Sequence, residues 1–467
     1  MTRRIRTLLQ FLAWGSFLIA APLIVSYSLG HRVRPTSPRQ ESVGTFLLRT
    51  FPRGATVFIN GSEERSVTPT AVSSLPSGTY AVRLEKRGYR VWEKRLPIHG
   101  TRITDVRNVR LIPATIDEER IHERVEQFSL SPTERFLGVV EKEKTRKRLR
   151  LLRTARLADP GIVVGVPLDT RESVILLWAP DEQRIALTTR VGNAHRFHVI
   201  DVETGHASPL VATDEVIGWL PERGHVLVVR SGSTVQYLDV DSNTQTTISR
   251  TAIAAATASR GVVIVEDRPA PGSGEKPLTL SLVSPGGTRI ETIPAPPLQG
   301  QRVSRISVSP FGDVALLSFP NGRLVLWDAN ERRWRELAEH AENLVWSPDG
   351  EKLLWQASEF DAWVVNLREQ RTVLPRYVPE LVVRLSVPLR TIQWFAGSQH
   401  LIFFERDVLT LVEIDGRDGH RREHLVSTNR GDSTAAVVDG GAALFVTVRR
   451  DSQPLLLRVF LEIPEDR

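Results

Sequence analysis

The sequence predicts an all-β protein carried on one N-terminal helix, and three observations predict it. Residues 7–29 are 23 consecutive positions without a charged side chain, and no second run of that length follows. From residue 44 onward the apolar residues fall into short runs, many of them alternating, separated by Gly, Pro, Ser and Asn-Gly turn signals. A nine-residue pattern, clearest as "WSPDGEKLL" from Trp346, then recurs along the rest of the chain at a spacing of about 40 residues.

Composition narrows the function classes. With 41% hydrophobic and 25% charged residues among 467, the chain is folded over most of its length. The absence of cysteine excludes disulfides, thiolate metal sites and thiol nucleophiles. The net charge of +7 is unevenly distributed. Residues 1–40 carry +6 and residues 41–113 another +6, which leaves −5 on residues 114–467. A mildly acidic major part argues against nucleic acid as partner.

The run at 7–29 predicts a transmembrane helix, preceded by a six-residue tail, 1–6, that contains Arg3, Arg4 and Arg6. A helix of that length rises about 34 Å, enough to cross a hydrocarbon core of about 30 Å. It is too long for the apolar region of a secretion signal, and "SYSLGHR" is a poor cleavage site. The positive tail favours an N-terminus held inside the cell membrane, as a cytoplasmic tail, with the remainder extracytoplasmic. Residues 30–43 read as a linker rich in Pro, Ser and Arg.

Residues 44–113 read as a small β-sandwich with strands at 44–52, 55–61, 78–89, 91–98 and 103–113. Turns are marked by Asn60-Gly61, Thr68-Pro69, Ser77-Gly78 and Arg87-Gly88. Through Pro52-Arg53-Gly54-Ala55, Val57, Ile59, Gly61, Thr68-Pro69, Leu75, Gly78, Tyr80, Val82, Gly88-Tyr89 and Leu111 the stretch resembles the PEGA domain. Arg53 stands where that family's name-giving motif has glutamate. The resemblance implies a bacterial or archaeal surface module for binding or spacing, without catalytic residues. Tyr80, Tyr89 and Trp92 are read as packing residues. Arg83, Lys86, Arg87 and Arg90 are the candidate contacts for anionic wall polymer or lipid headgroups, the alternative being that they only keep strand edges soluble.

The repeat occupies residues 114–467. Copies start at Leu130, Trp178, Trp219, Val308 and Trp346, with weaker ones at Trp394 and Val437 and the faintest at Ala256. In chain order their starts lie 48, 41, 37, 52, 38, 48 and 43 residues apart. Third strands follow most of them, such as "FHVIDVETG" (197–205) and "RLVLWDANE" (323–331). Four strands per repeat predict a β-propeller, with eight blades, or seven if the stretch at Ala256 is not a full one. One terminus is expected to complete the last blade, which removes an open sheet edge. The region resembles the TolB-like and WD40-like propellers, a resemblance that implies the fold and not an activity.

No catalytic constellation, cofactor motif or metal-ligand spacing emerges. Asp349 and Asp181 occupy a recurring turn position, so turn formation explains them better than catalysis. Trp178, Trp219, Trp346 and Trp394 share one repeat position and are read as packing between blades. His195, His198 and His340 are scattered near strand ends, and "EKEKTRKRLR" (141–150) is a basic hairpin tip. The expectation is a membrane-anchored binding or scaffold protein of the cell envelope, engaging a protein, peptide or glycan. A propeller hydrolase or lyase acting on extracellular polymer is the alternative, and a structural envelope component is a third.

Overall fold

The computed structural model describes residues 14–18, 20–21, 31–32, 41–191, 194–210, 213–267, 278–298, 302–319, 321–368, 373–429 and 433–464. Most of the expected transmembrane run, 7–29, lies outside them; residues 14–18 and 20–21 are helical. Among the described residues no helix is long and apolar enough to cross a membrane.

The first unit is a sandwich of two four-stranded sheets. In one, Glu41–Phe51 pairs antiparallel with Thr70–Pro76 and parallel with Ile103–Arg110. The other runs Ser62–Glu63, Thr56–Ile59, Gly78–Glu85, Trp92–Ile98. Alternation places Phe46, Leu48, Val57, Val82, Leu84, Leu96 and Val106 in one core between them, and Tyr89 and Trp92 pack there as the sequence suggests. Thr70–Pro76 is absent from the sequence-read strands. It buries only Val72 on its inner face, so its alternation is weak.

Beyond residue 117 the described residues form eight successive antiparallel sheets of similar design, here numbered 1 to 8; in the first, Ile162–Val163 and Leu168–Asp169 both pair with Arg146–Arg153. Their first strands are Val125–Leu130, Ser173–Trp178, Glu215–Leu220, Ala252–Ala258, Arg302–Val308, Glu342–Trp346, Leu389–Trp394 and Ala435–Val438. Each is joined by a short turn to the second strand, and that turn is the recurring sequence pattern. The faint copy at Ala256 belongs to sheet 4, complete with Gly261–Asp267, Leu278–Val283 and Arg289–Ile293.

Both faces of every sheet are apolar, and each inner face is buried against the next sheet. Apolar clusters join sheet 1 to 2 (Leu149 with Ile185), 2 to 3 (Ala186 with Leu227) and 3 to 4 (Val228 with Ile264). Others join 4 to 5, 5 to 6, 6 to 7 and 7 to 8. The last joins 8 back to 1, through Phe445 and Phe128, with ring centroids 6.3 Å apart. The sheets therefore close a ring, the architecture of a β-propeller. Sheet 8 takes its fourth strand from Glu118–Glu123, which pairs with Gln453–Phe460. N-terminal and C-terminal segments thus share one sheet.

The recurring tryptophans reach back across this packing. Trp178 Nε1 donates to Ser129 Oγ (3.0 Å), Trp219 to the Leu177 carbonyl (2.8 Å), Trp346 to Ser307 Oγ (2.9 Å) and Trp394 to the Val345 carbonyl (3.1 Å). In each case the acceptor lies on the first strand of the preceding sheet. The turn beside Trp346 is equally structural. Asp349 Oδ1 accepts from the Glu351 amide at 3.0 Å, and its other oxygen holds the buried Lys352 ammonium at 3.2 Å. Burial pushes the Asp349 pKa up, but bonds from Ser347, Glu351 and Lys352 outweigh it and leave it lowered. Gly350 has φ +69°, and a Cβ there would lie 2.9 Å from Pro310 Cδ of sheet 5.

A charged cluster fastens the closing strand. His122 Nε2 and Arg150 Nε both lie 2.6 Å from Glu141 Oε1. Burial alone would raise the Glu141 pKa; the bonds from His122 and Arg150 hold it instead at about 2.

Two outcomes are expected. Trp219→Ala removes a buried indole and should cost about 3–5 kcal/mol in denaturant unfolding, whereas Trp219→Phe should cost distinctly less. Because the folded-state pKa of Glu141 is depressed, its stabilisation is present above the ordinary glutamate pKa and fades as pH falls toward about 2. Urea midpoints measured from pH 6 to pH 2.5 should fall less steeply in Glu141→Gln than in wild type.

Candidate functional site

The sandwich docks onto one face of the ring. Lys94, almost fully buried, places its Nζ 3.1 Å from Glu413 and donates to the Asp415 carbonyl at 2.7 Å. Trp92 Nε1 donates to the same Glu413 carboxylate at 3.4 Å. The Arg95 amide donates to Asp418 Oδ2, Arg417 donates to the Asp105 carbonyl, and Arg110 pairs with Glu462 at 3.0 Å. The Ile463 amide donates to Tyr89 Oη at 2.9 Å. His400 is enclosed nearby, and burial, with Arg110 and Lys94 adding to it, pushes its pKa down to about 3, so its ring is neutral at physiological pH. The ring residues involved lie in or beside the turn joining the third and fourth strands of sheet 7, in the turns that follow the first strands of sheets 7 and 8, and on the tail after sheet 8. All belong to one face.

The sandwich's candidate residues are not all free for an outside ligand. Arg83 stacks 4.2 Å from the centre of the Phe58 ring and pairs with Glu85 at 2.8 Å. Lys86 and Arg87 share the turn that ends at Gly88, with Arg87 exposed. Arg90 points the other way, into the docking interface, bonded at 2.9 Å to both Glu423 and the His424 carbonyl. Only Lys86 and Arg87 share a turn; Arg83 is engaged by Phe58 and Glu85, and Arg90 by the ring.

On the opposite face, the basic hairpin lines an open groove of about 610 Å³ with residues 163–169. Its charges are largely answered within the protein. Arg146 and Arg148 share Glu143, Lys147 is buried against Glu126, and Arg196 pairs with Glu172.

The axial channel is a second candidate site. The first strands of sheets 3, 4 and 5 touch one another around the axis. Their unpaired edges, with those of the other sheets, face that axis. Register shifts, the mark of β-bulges, interrupt the first strand in sheets 1, 3, 4, 5, 6 and 7. A bulge re-aims the side chains around it. One space of about 440 Å³ is walled by Glu215, Arg230, Ala254, Ala255, Ala256, Thr257, Arg305 and Ser307, among others. A second, of about 470 Å³, lies toward the face away from the sandwich and is lined by Arg305, Asn321, His340, Glu342 and Asn343. Ser304 and Arg305 border both.

His340 Nδ1 lies 2.6 Å from the Asn321 carbonyl, which can only accept, so Nδ1 carries a proton and the tautomer this selects has its lone pair on Nε2. Asn343 Nδ2 donates to Gln356 Oε1 at 2.8 Å, leaving its own oxygen toward other partners. Arg305, Glu342 and Asn343 were not singled out by sequence. The signal was present: Val216, Ile253, Arg305 and Asn343 each stand three residues before an aligned repeat start, and all four border the channel. Among the described residues no group of three or more His, Asp or Glu could hold a metal ion.

Residues 43–111 match the family model of the PEGA domain, in agreement with the resemblance read at 44–113. No curated protein sequence matches the chain. Similar solved structures include the Cps50 (Swd1) β-propeller domain of Myceliophteria thermophila, at 11% identity over 74% of this chain and 99% of that one, TM-score 0.43. A eukaryotic initiation factor is 10% identical over 75% and 93% of the two chains, TM-score 0.47. An oligogalacturonate lyase in complex with manganese is 10% identical over 75% and 98%, TM-score 0.41.

The docking interface yields a direct test. Lys94→Met leaves Glu413 buried without its cation, a loss expected to cost about 3–5 kcal/mol at the interface. Limited proteolysis should then cut between residues 111 and 117, while Arg83→Ala leaves that segment protected.

Proposed function

We propose that the chain is a single-pass envelope protein whose eight-bladed propeller serves as an extracytoplasmic binding or scaffold unit. Residues 7–29 anchor it, with the N-terminus inside, and the PEGA-like sandwich holds the ring outside the membrane. The observation that carries this reading is the division of the ring into two faces. One is taken by the sandwich over sheets 7 and 8, and the other presents the axial opening away from it. A ring fixed on a stalk in this way suits presentation of a surface to a protein, peptide or glycan partner.

The positive charge of the sandwich fits a secondary contact with anionic polymer or headgroups through Arg83, Lys86 and Arg87. Arg83 and Arg90 contribute less, because Glu85 and Glu423 already answer their charges. Neutralising the first three should weaken sedimentation with anionic vesicles at low salt, and unchanged binding would remove this contact.

The binding reading is tested by immobilising the full-length chain and probing envelope extracts and glycan mixtures. Specific retention of a partner, lost on blocking the axial face, is the expected outcome. Retention of nothing, together with turnover of an offered polymer, would replace the binding reading with an enzymatic one.

A further inference from the structure

From the axial recess between sheets 5 and 6 we infer a ligand class: a peptide segment carrying a cationic and an anionic side chain close together. The inference rests on the binding reading and names the chemistry of its site.

Arg305 and Glu342 line the same recess of about 470 Å³, on the first strands of neighbouring sheets. Among the described residues neither forms an ion pair, with the other or with any third group. In the adjoining space the charge is answered. Arg230, which borders the adjoining space, is bonded to Glu215 at 2.6 Å and to the Ile253 carbonyl at 3.1 Å. Opposite charges on adjacent strands ordinarily meet. Here the first strand of sheet 6 slips register between Glu342 and Val345, with Asn343 at φ +51°, and the two charges stay apart.

The groups around them sort by sign. Near Glu342 stand two further acceptors, the Nε2 of His340 and the side-chain oxygen of Asn343, which together suit an ammonium. Arg305 offers a guanidinium fork that suits a carboxylate. A uronate-bearing glycan or a nucleic acid would satisfy Arg305 and be repelled by Glu342. A neutral glycan would leave both charges unanswered. A peptide with lysine beside glutamate answers both, and the adjoining space of about 440 Å³ past Arg305 gives room for its neighbours.

The test uses full-length protein and calorimetric titration with an acetylated, amidated tetrapeptide, alanyl-lysyl-glutamyl-alanine. Controls replace its lysine by norleucine or its glutamate by glutamine, and trigalacturonate is a separate arm. Wild type should bind the parent peptide saturably, and Arg305→Met and Glu342→Gln should each weaken it about tenfold or more. Glu342→Gln should make no difference to the norleucine peptide, nor Arg305→Met to the glutamine peptide. Both positions are exposed, so retained thermal unfolding midpoints will show that the variants are folded. No saturable peptide binding, absence of this pairwise coupling, or tighter binding of trigalacturonate would overturn the inference. Partner capture from extracts that survives both variants would also overturn it while leaving the binding reading standing. Coupled peptide binding without any captured partner would support the inference and count against the wider reading.

Discussion

Each sheet of the ring is apolar on both faces, and no sheet can bury two faces by itself. That constraint organises the molecule. Packing on a neighbour covers one face and exposes the next, and only a closed ring removes the last open one. The indole bonds fix the geometry of the stack, because each reaches the first strand of the preceding sheet while its ring fills the space between. The tryptophan is thus both filler and spacer.

Closure has a second requirement, since the first and last sheets must meet without leaving an unpaired strand. Supplying the fourth strand of sheet 8 from Glu118–Glu123 meets it and ties the stability of the ring to the segment that leaves the sandwich. The His122–Glu141–Arg150 cluster then holds that strand to sheet 1. Because the linking segment is short, the sandwich is brought against the ring, where Lys94, Glu413 and Trp92 form a buried polar contact. The two units therefore share an interface rather than a flexible tether, and the ring acquires a covered face and an open one.

The turn at Ser347–Gly350 illustrates how a recurring motif can look chemical and be mechanical. Asp349 spends its oxygens on the turn backbone and on a buried lysine, and Gly350 takes a positive φ against the neighbouring sheet. The channel residues behave in the opposite way. They vary from copy to copy, and Arg305 and Glu342 carry charge into a space that packing does not need.

The repeat, its four-strand period and the sandwich before it were legible in the sequence, because turn residues and strand alternation are local properties. Even the faint copy at Ala256 kept enough of them to mark a complete sheet. The four tryptophans were read as packing residues for the same reason. Thr70–Pro76 was not legible, since a strand that buries one residue on its inner face leaves little alternation. Nor were the partition of the basic sandwich residues, the docking of Lys94 on Glu413 and the meeting of Arg305 and Glu342 in one recess. Those depend on which surfaces face each other once the ring has closed. Local pattern determined the repeat and most of its strands; long-range packing alone decided which charges are spent inside the protein and which remain open to a ligand.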